Sequence, residues 1–167
     1  MVSRSSSAAY YLGEGKQVVP RSLVALLRIY LGVILLITVL GKLTRDMPFS
    51  VEMLGFLRAM HNTSPWYQQF LQRVVIPNAT PFSILVMAGE LVAGLSLLTG
   101  TATRLGAGIA MFLFLNYMLA KGRWFWSPDS EDAAVFFIAL VVLIGRAGRV
   151  AGVDRYLARR WPDAPLW

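Results

Sequence analysis

Four long apolar stretches, separated by shorter polar ones, dominate the chain. The first, Leu23 to Leu40, is interrupted only by Arg28. Extended from Ser22 to Leu43, it meets the roughly 20 helical residues that a hydrocarbon core of about 30 Å requires. The second runs from Pro81 to Thr99 with Glu90 at its centre, and the third from Arg104 to Leu119. The fourth, Ala133 to Ile144, reaches spanning length only by continuing through Gly145 and Ala147 with Arg146 turned to the interface. The pattern predicts an all-α membrane protein, a four-transmembrane-helix bundle with spans at about 22–43, 81–99, 104–120 and 132–148. This transmembrane domain covers 21–157, preceded by a polar tail over 1–20 and followed by a basic, aromatic tail over 158–167. A cleaved signal peptide does not fit the first stretch: the apolar run is too long, and no small-x-small cleavage site follows it.

Between Lys42 and Pro81 lies the one sizeable polar-apolar segment outside these stretches, and it too is patterned. Trp66, Tyr67, Phe70, Leu71, Val74 and Val75 alternate in pairs with Gln68, Gln69, Gln72 and Arg73. Two residues in and two out is the mark of an amphipathic helix. Ser64-Pro65 would start it and Pro77 would stop it. Phe49, Met53, Phe56, Leu57 and Met60 suggest an earlier helix of the same kind. These amphipathic helices in the first external loop are expected on the membrane surface or capping the bundle from outside. Trp66, Tyr67 and Phe70 then serve as interfacial anchors or as a docking face for a partner. His61, between the two segments, has no companions that would make it a ligand or a catalyst, and reads as an ordinary surface residue.

Composition supports the membrane reading and narrows the chemistry. Of the 167 residues, 56% are hydrophobic and 15% charged, against about 45–50% apolar in soluble domains. The mean hydropathy is +0.57. There is no Cys and one His. That excludes a disulfide framework, an iron–sulfur cluster, thiolate zinc and bis-His haem ligation within the chain, and no metal site is expected. The net charge of +7 could suggest nucleic acid, but its distribution points to a membrane surface. With four spans, Arg4, Lys16, Arg21, Arg104, Arg146, Arg149, Arg155, Arg159 and Arg160 share one side with three acids. Six basic residues and five acids fall on the other. The excess of Lys and Arg places both termini in the cytoplasm of a cell (inner) membrane.

Within the spans, small residues and polar groups decide how helices meet. Ala102, Gly106 and Ala110 form one small-xxx-small ladder; Gly89 with Ala93, and Ser96 with Gly100, form others. Glu90 and Arg28 are the intramembrane charges. A lone charge at a helix centre costs at least about 2.5–3.5 kcal/mol, so an Arg28–Glu90 pair facing the bundle interior is expected. Asn116 and Tyr117 fall at a similar depth to Glu90 and would complete the cluster. Two roles stay open for these four residues. The cluster fixes helix order and register, or it lines a pocket for a quinone headgroup, an oxoanion or a proton path.

Several pieces recur together in a known family. They are LRIYLG with Arg28 and Gly32, Gly41-Lys42, PWYQQFLQRVVIPNATPFSILV, GELVAGLSLLTGTATRLGA, LNYMLA and GRAGRVAGVDRYL. In their order and spacing the chain resembles the DoxX-like membrane proteins, nearest the DoxD branch, the small subunit of thiosulfate:quinone oxidoreductase. The resemblance implies four transmembrane helices and a subunit that passes thiosulfate electrons to quinone with a second subunit, DoxA. In the last external loop, where relatives often carry Asn-Pro, this chain reads RWFWSPDSEDA. Its clustered acids would repel an anion.

Without Cys, a His pair or a glycine-rich dinucleotide fingerprint, the chain is expected to hold no tight redox cofactor of its own. Any oxidoreductase role would use a diffusible quinone or a partner's cofactor. Trp124, Phe125 and Trp126 could flank a quinone entrance or form part of an interfacial belt. The alternative is a non-catalytic accessory subunit stabilising a larger respiratory or photosynthetic complex. Trp66, Tyr67, Phe70, Trp124 and Trp126 would then dock other subunits, and Arg155, Arg159 and Arg160 would meet anionic headgroups. A small transporter ranks last, since no broken helix pair is visible.

Overall fold

The structure, a computed structural model, describes residues 21–60, 63–150 and 152–161. The N-terminal tail over 1–20, His61 and most of the C-terminal tail, Trp167 included, lie outside the described residues. Seven α-helices follow one another within them. They are α1 (Arg21–Leu43), α2 (Phe49–Ala59), α3 (Pro65–Phe70), α4 (Ala79–Thr99), α5 (Thr103–Lys121), α6 (Glu131–Ile144) and α7 (Asp154–Arg160). A π-helical turn over Leu71–Val75 continues α3, and a 3-10 turn over Ala147–Arg149 follows α6.

Three of these helices, α1, α4 and α5, are long and apolar enough to cross a membrane. The fourth stretch forms a helix of 14 residues, about 21 Å at 1.5 Å per residue and so short of a 30 Å core. Its expected continuation to residue 148 is not α-helical: Arg146 adopts a left-handed φ of 48°, and the chain turns there. α6 nevertheless packs along α5 and against α1, while α4 lies between α1 and α5.

Close helix approach is made by the small residues. A Cβ on Gly32 would sit 2.7 Å from the Leu98 backbone nitrogen, so α1 and α4 meet backbone to backbone at this point. Gly106 of α5 lies directly against the Ser96 side chain of α4. Ala93, Ala107, Ala110 and Ala139 are wholly buried beside Leu31, Leu35, Leu97 and Val142. Dispersion in such contacts is what holds helices together where lipid is as apolar as Leu. Gly89, by contrast, leaves ordinary room: a Cβ there would be 3.5 Å from Leu113.

At one end of the molecule the C-terminal segment clasps the α4–α5 turn. Gly100 ends α4 in the left-handed region at φ 70°, a conformation that glycine adopts without strain. The turn supplies no side-chain cap of its own to α5. Asp154, wholly buried, does so from α7: its carboxylate accepts the Ala102 N–H at 2.6 Å and the Thr103 N–H at 2.8 Å. The Asp154 N–H in turn donates to the Gly100 carbonyl at 2.8 Å.

Both amphipathic segments form helices, and these lie against the long ones. α2 packs on α4, and α3 on α5. The Thr63 hydroxyl donates to the Ala120 carbonyl at 2.7 Å, and Phe70 meets Phe82 edge to face at 6.5 Å. The physical reason is the offset of α1: Lys42, in its last turn, reaches Glu90 midway along α4. Where α1 stops, the outer half of α4 would stand uncovered, and α2 and α3 cover it.

Candidate functional site

Glu90 does not pair with Arg28. Lys42 Nζ donates to both Glu90 carboxylate oxygens at 2.7 Å, and the Tyr117 hydroxyl donates to Oε1 at 2.6 Å. Glu90 is 1% exposed and the Lys42 side chain 12%, so the pair is desolvated and its bidentate geometry supplies the compensation a buried charge needs. Arg28 is equally buried but lies at the other end of α4, against Gly100 and Gly152, and interacts electrostatically with Asp154. Ten residues of helix, about 15 Å, separate Gly100 from Glu90. The expected four-residue cluster therefore divides: Arg28 belongs to the clasp, while Glu90, Asn116 and Tyr117 stay together.

Asn116 joins through a second bond. Its amide nitrogen donates to the Phe112 carbonyl at 2.7 Å. That fixes the amide, and its oxygen accepts the Tyr67 hydroxyl at 2.8 Å. Tyr67 is thus not a docking residue on the outer face but 6% exposed. Burial pushes its phenol above the ordinary value. The two-in, two-out pattern resolves accordingly: Tyr67, Leu71 and Val75 point inward, whereas Trp66, Phe70 and Val74 stay exposed. The π turn, closed by Ile76 N–H to the Leu71 carbonyl at 2.8 Å, keeps the inward line continuous up to Pro77.

These polar groups stand at the wall of a cavity of about 440 Å³. From α2 its lining includes Phe49, Glu52, Met53 and Phe56, the i, i+3, i+4, i+7 positions of one helical face. No residue of α2 is fully buried: Met53 and Leu57 pack against Tyr67, Leu71 and Val75, and the rest of this face borders the open volume. The other walls are Tyr67, Phe70, Leu71 and Val75, with Phe82, Leu85, Val86, Phe112, Leu113, Asn116 and Tyr117 from α4 and α5. Lys42 lines it as well, its ammonium 4.3 Å from the Phe49 ring centroid, a cation–π contact that ties α2 to the end of α1.

Each charged residue at this wall has a partner of opposite sign. Lys42 has Glu90, Glu52 has Arg45, and Lys121 has Asp132 at 2.6 Å. Hydrogen-bonding capacity is nonetheless left over. An ammonium has three N–H groups, of which two serve Glu90. Both tyrosine oxygens keep lone pairs, and Glu52 Oε2 is buried with no hydrogen-bond partner among the described residues. The wall can therefore both donate hydrogen bonds and accept them.

Lys42, Glu52 and Lys121 were not among the residues expected here. Lys42 falls inside the predicted 22–43 span and reads there as a terminal, loop-facing charge. The signal that could have found it is the mismatch of one mid-span acid with a basic residue at the other end of the neighbouring helix. Trp124 and Trp126 line no part of the cavity. They stack on each other at 5.7 Å and remain 46% and 78% exposed, while Phe125 turns inward against Phe136 and Phe137. Two acids of this region are paired, Asp132 with Lys121 and Asp129 with Arg123.

No curated protein and no solved structure matches the chain. The sequence profile of the DoxX family matches residues 23–121, from the start of α1 to the end of α5, and so takes in every element that walls the cavity. The protein belongs to the DoxX family.

Proposed function

We propose that the cavity receives the ring of a quinone, and that the chain is a redox-associated subunit of the DoxD type in the cytoplasmic membrane, working with a partner subunit. The observation that carries this reading is the apolar face of α2 laid over a cavity whose inner wall holds Lys42, Tyr117, Tyr67 and Asn116. Apolar walls with a few convergent polar groups are the usual make-up of a small-molecule site, and about 440 Å³ lies within the common range of about 300–1,000 Å³. A quinone supplies two-electron, two-proton acceptance. The chain's own share is to bind and orient it: Lys42 offers an N–H to a ring oxygen, and Glu52 Oε2 and the tyrosine oxygens accept from a ring hydroxyl. Cancelling charges favour a neutral ring over a dianion such as thiosulfate, so the anion half of a DoxD-like reaction falls to the partner. In this reading α6 and the 3-10 turn complete a fourth crossing, and both termini are cytoplasmic.

The test is binding in lipid nanodiscs, followed by quenching of tryptophan fluorescence with decyl-ubiquinone. Saturable one-to-one quenching is expected. The charge-neutral double variant Lys42→Met/Glu90→Gln should weaken it by about tenfold or more, the worth of one good hydrogen bond to a charged group. Non-saturable quenching by the wild type overturns the reading. The second reading, an accessory subunit of a larger complex, draws on the exposed Trp124–Trp126 stack. Co-purification of further subunits in mild detergent, lost on Trp126→Ala, would favour it.

A further inference from the structure

The cavity has two sides, and they differ in kind. Towards the α5–α6 loop, Phe56 and Lys121 line both it and a second, polar groove of about 710 Å³ bounded by Gly122, Arg123, Ser127 and Asp129. These two residues form the partition between the cavities, and the Asp132 carboxylate holds Lys121 in place at 2.6 Å. Deeper along α4 and α5 the lining includes Leu85 and Phe112, each 65% exposed. Leu85 lies six residues inside the start of α4 and Phe112 nine residues inside the end of α5. At 1.5 Å per residue these positions are about 9 and 14 Å from the outer helix ends, which is hydrocarbon depth. Phe70 of α3, 38% exposed and edge to face with Phe82 of α4, belongs to the same lining.

From this we infer that the site opens sideways into the bilayer between Leu85 and Phe112, and that its ligand is a membrane-dissolved ring on a long apolar tail that stays in lipid while the ring is bound. The inference rests on the ring-binding reading above and adds the ligand's route and the class of its tail. A tail that remains among acyl chains exchanges one apolar surrounding for another, so its length adds almost nothing to affinity when concentration is counted per lipid. The polar ring alone is transferred, from the interface to Lys42, Tyr67 and Tyr117. A water-soluble ligand would instead have to pass the Phe56–Lys121 partition, where a salt bridge must open.

The experiment uses the full chain in nanodiscs and a benzoquinone carrying a photoactivatable diazirine at the base of a decyl tail, beside the ring. Labelled peptides are then read by mass spectrometry, and tail-less dimethoxybenzoquinone quenching is measured in parallel. Labelling is expected on the segments containing Leu85 and Phe112, and unlabelled decyl-ubiquinone should compete it away. Labelling centred on Phe56 or Arg123 would overturn the inference, because the tail would then leave through the polar groove. Labelling of lipid alone, with saturable quenching by the tail-less ring intact, would overturn the sideways route and leave the ring-binding reading standing. Absence of both removes the two together.

Discussion

Glu90 shows how one side chain can set the chemistry of a region. It is an acid at mid-span, held by an ammonium and a phenol. Removing either charge alone leaves the other buried, whereas removing both leaves a neutral, hydrogen-bonding wall. Glu90→Gln or Lys42→Met should each lower stability by about 3–5 kcal/mol, and the double variant by clearly less than the sum. Thermal unfolding in detergent, arranged as a double-mutant cycle, measures the difference; additive losses would mean that the two charges do not interact. Glu90, Asn116 and Tyr117 were legible in the sequence because polar residues in an apolar run stand out. The identity of Glu90's partner was not. Depth along a helix can be counted, but the offset between two helices is set by where Gly32 lets α1 approach α4.

The helices obey the same logic of contact. Gly32 has a backbone nitrogen 2.7 Å from where a Cβ would be, and Gly108 has nothing within 4 Å. Gly32→Ala should therefore force α1 and α4 apart at a cost of about 1–3 kcal/mol. Gly108→Ala should be neutral or stabilising by up to about 1 kcal/mol, the helix-propensity gain of Ala over Gly. Paired melting curves in detergent check both signs. The three long helices were legible to within two residues of their ends, since length and apolarity announce them. The amphipathic helices were legible as helices but not in their placement, because periodicity fixes which face is apolar and says nothing about what that face covers. In α3 and its π turn it covers α5 through Tyr67, Leu71 and Val75; in α2 it borders a cavity.

For the molecule as a whole, Arg28, Gly100, Gly152 and Asp154 gather at one end and Asp129, Lys121 and Arg123 at the other. The absence of native Cys makes single-cysteine labelling clean. In intact cells a membrane-impermeant maleimide should react with Asp46→Cys and Asp129→Cys, and with Arg159→Cys only after permeabilisation. Reaction of Arg159→Cys in intact cells would reverse the orientation proposed for the termini. The charge bias along the chain is what this proposed orientation rests on. The clasp itself was hidden, because Asp154 reaches Ala102 and Thr103 across some fifty positions of sequence.

That long reach has a consequence for biogenesis. A ribosome delivers the α4–α5 hairpin well before Asp154, at a pace of about 5–20 residues per second. For several seconds, then, the two newborn helices are joined by a bend whose first amide hydrogens await their carboxylate. A nascent chain stopped short of residue 154 carries all three long apolar helices and still lacks the latch that seals them.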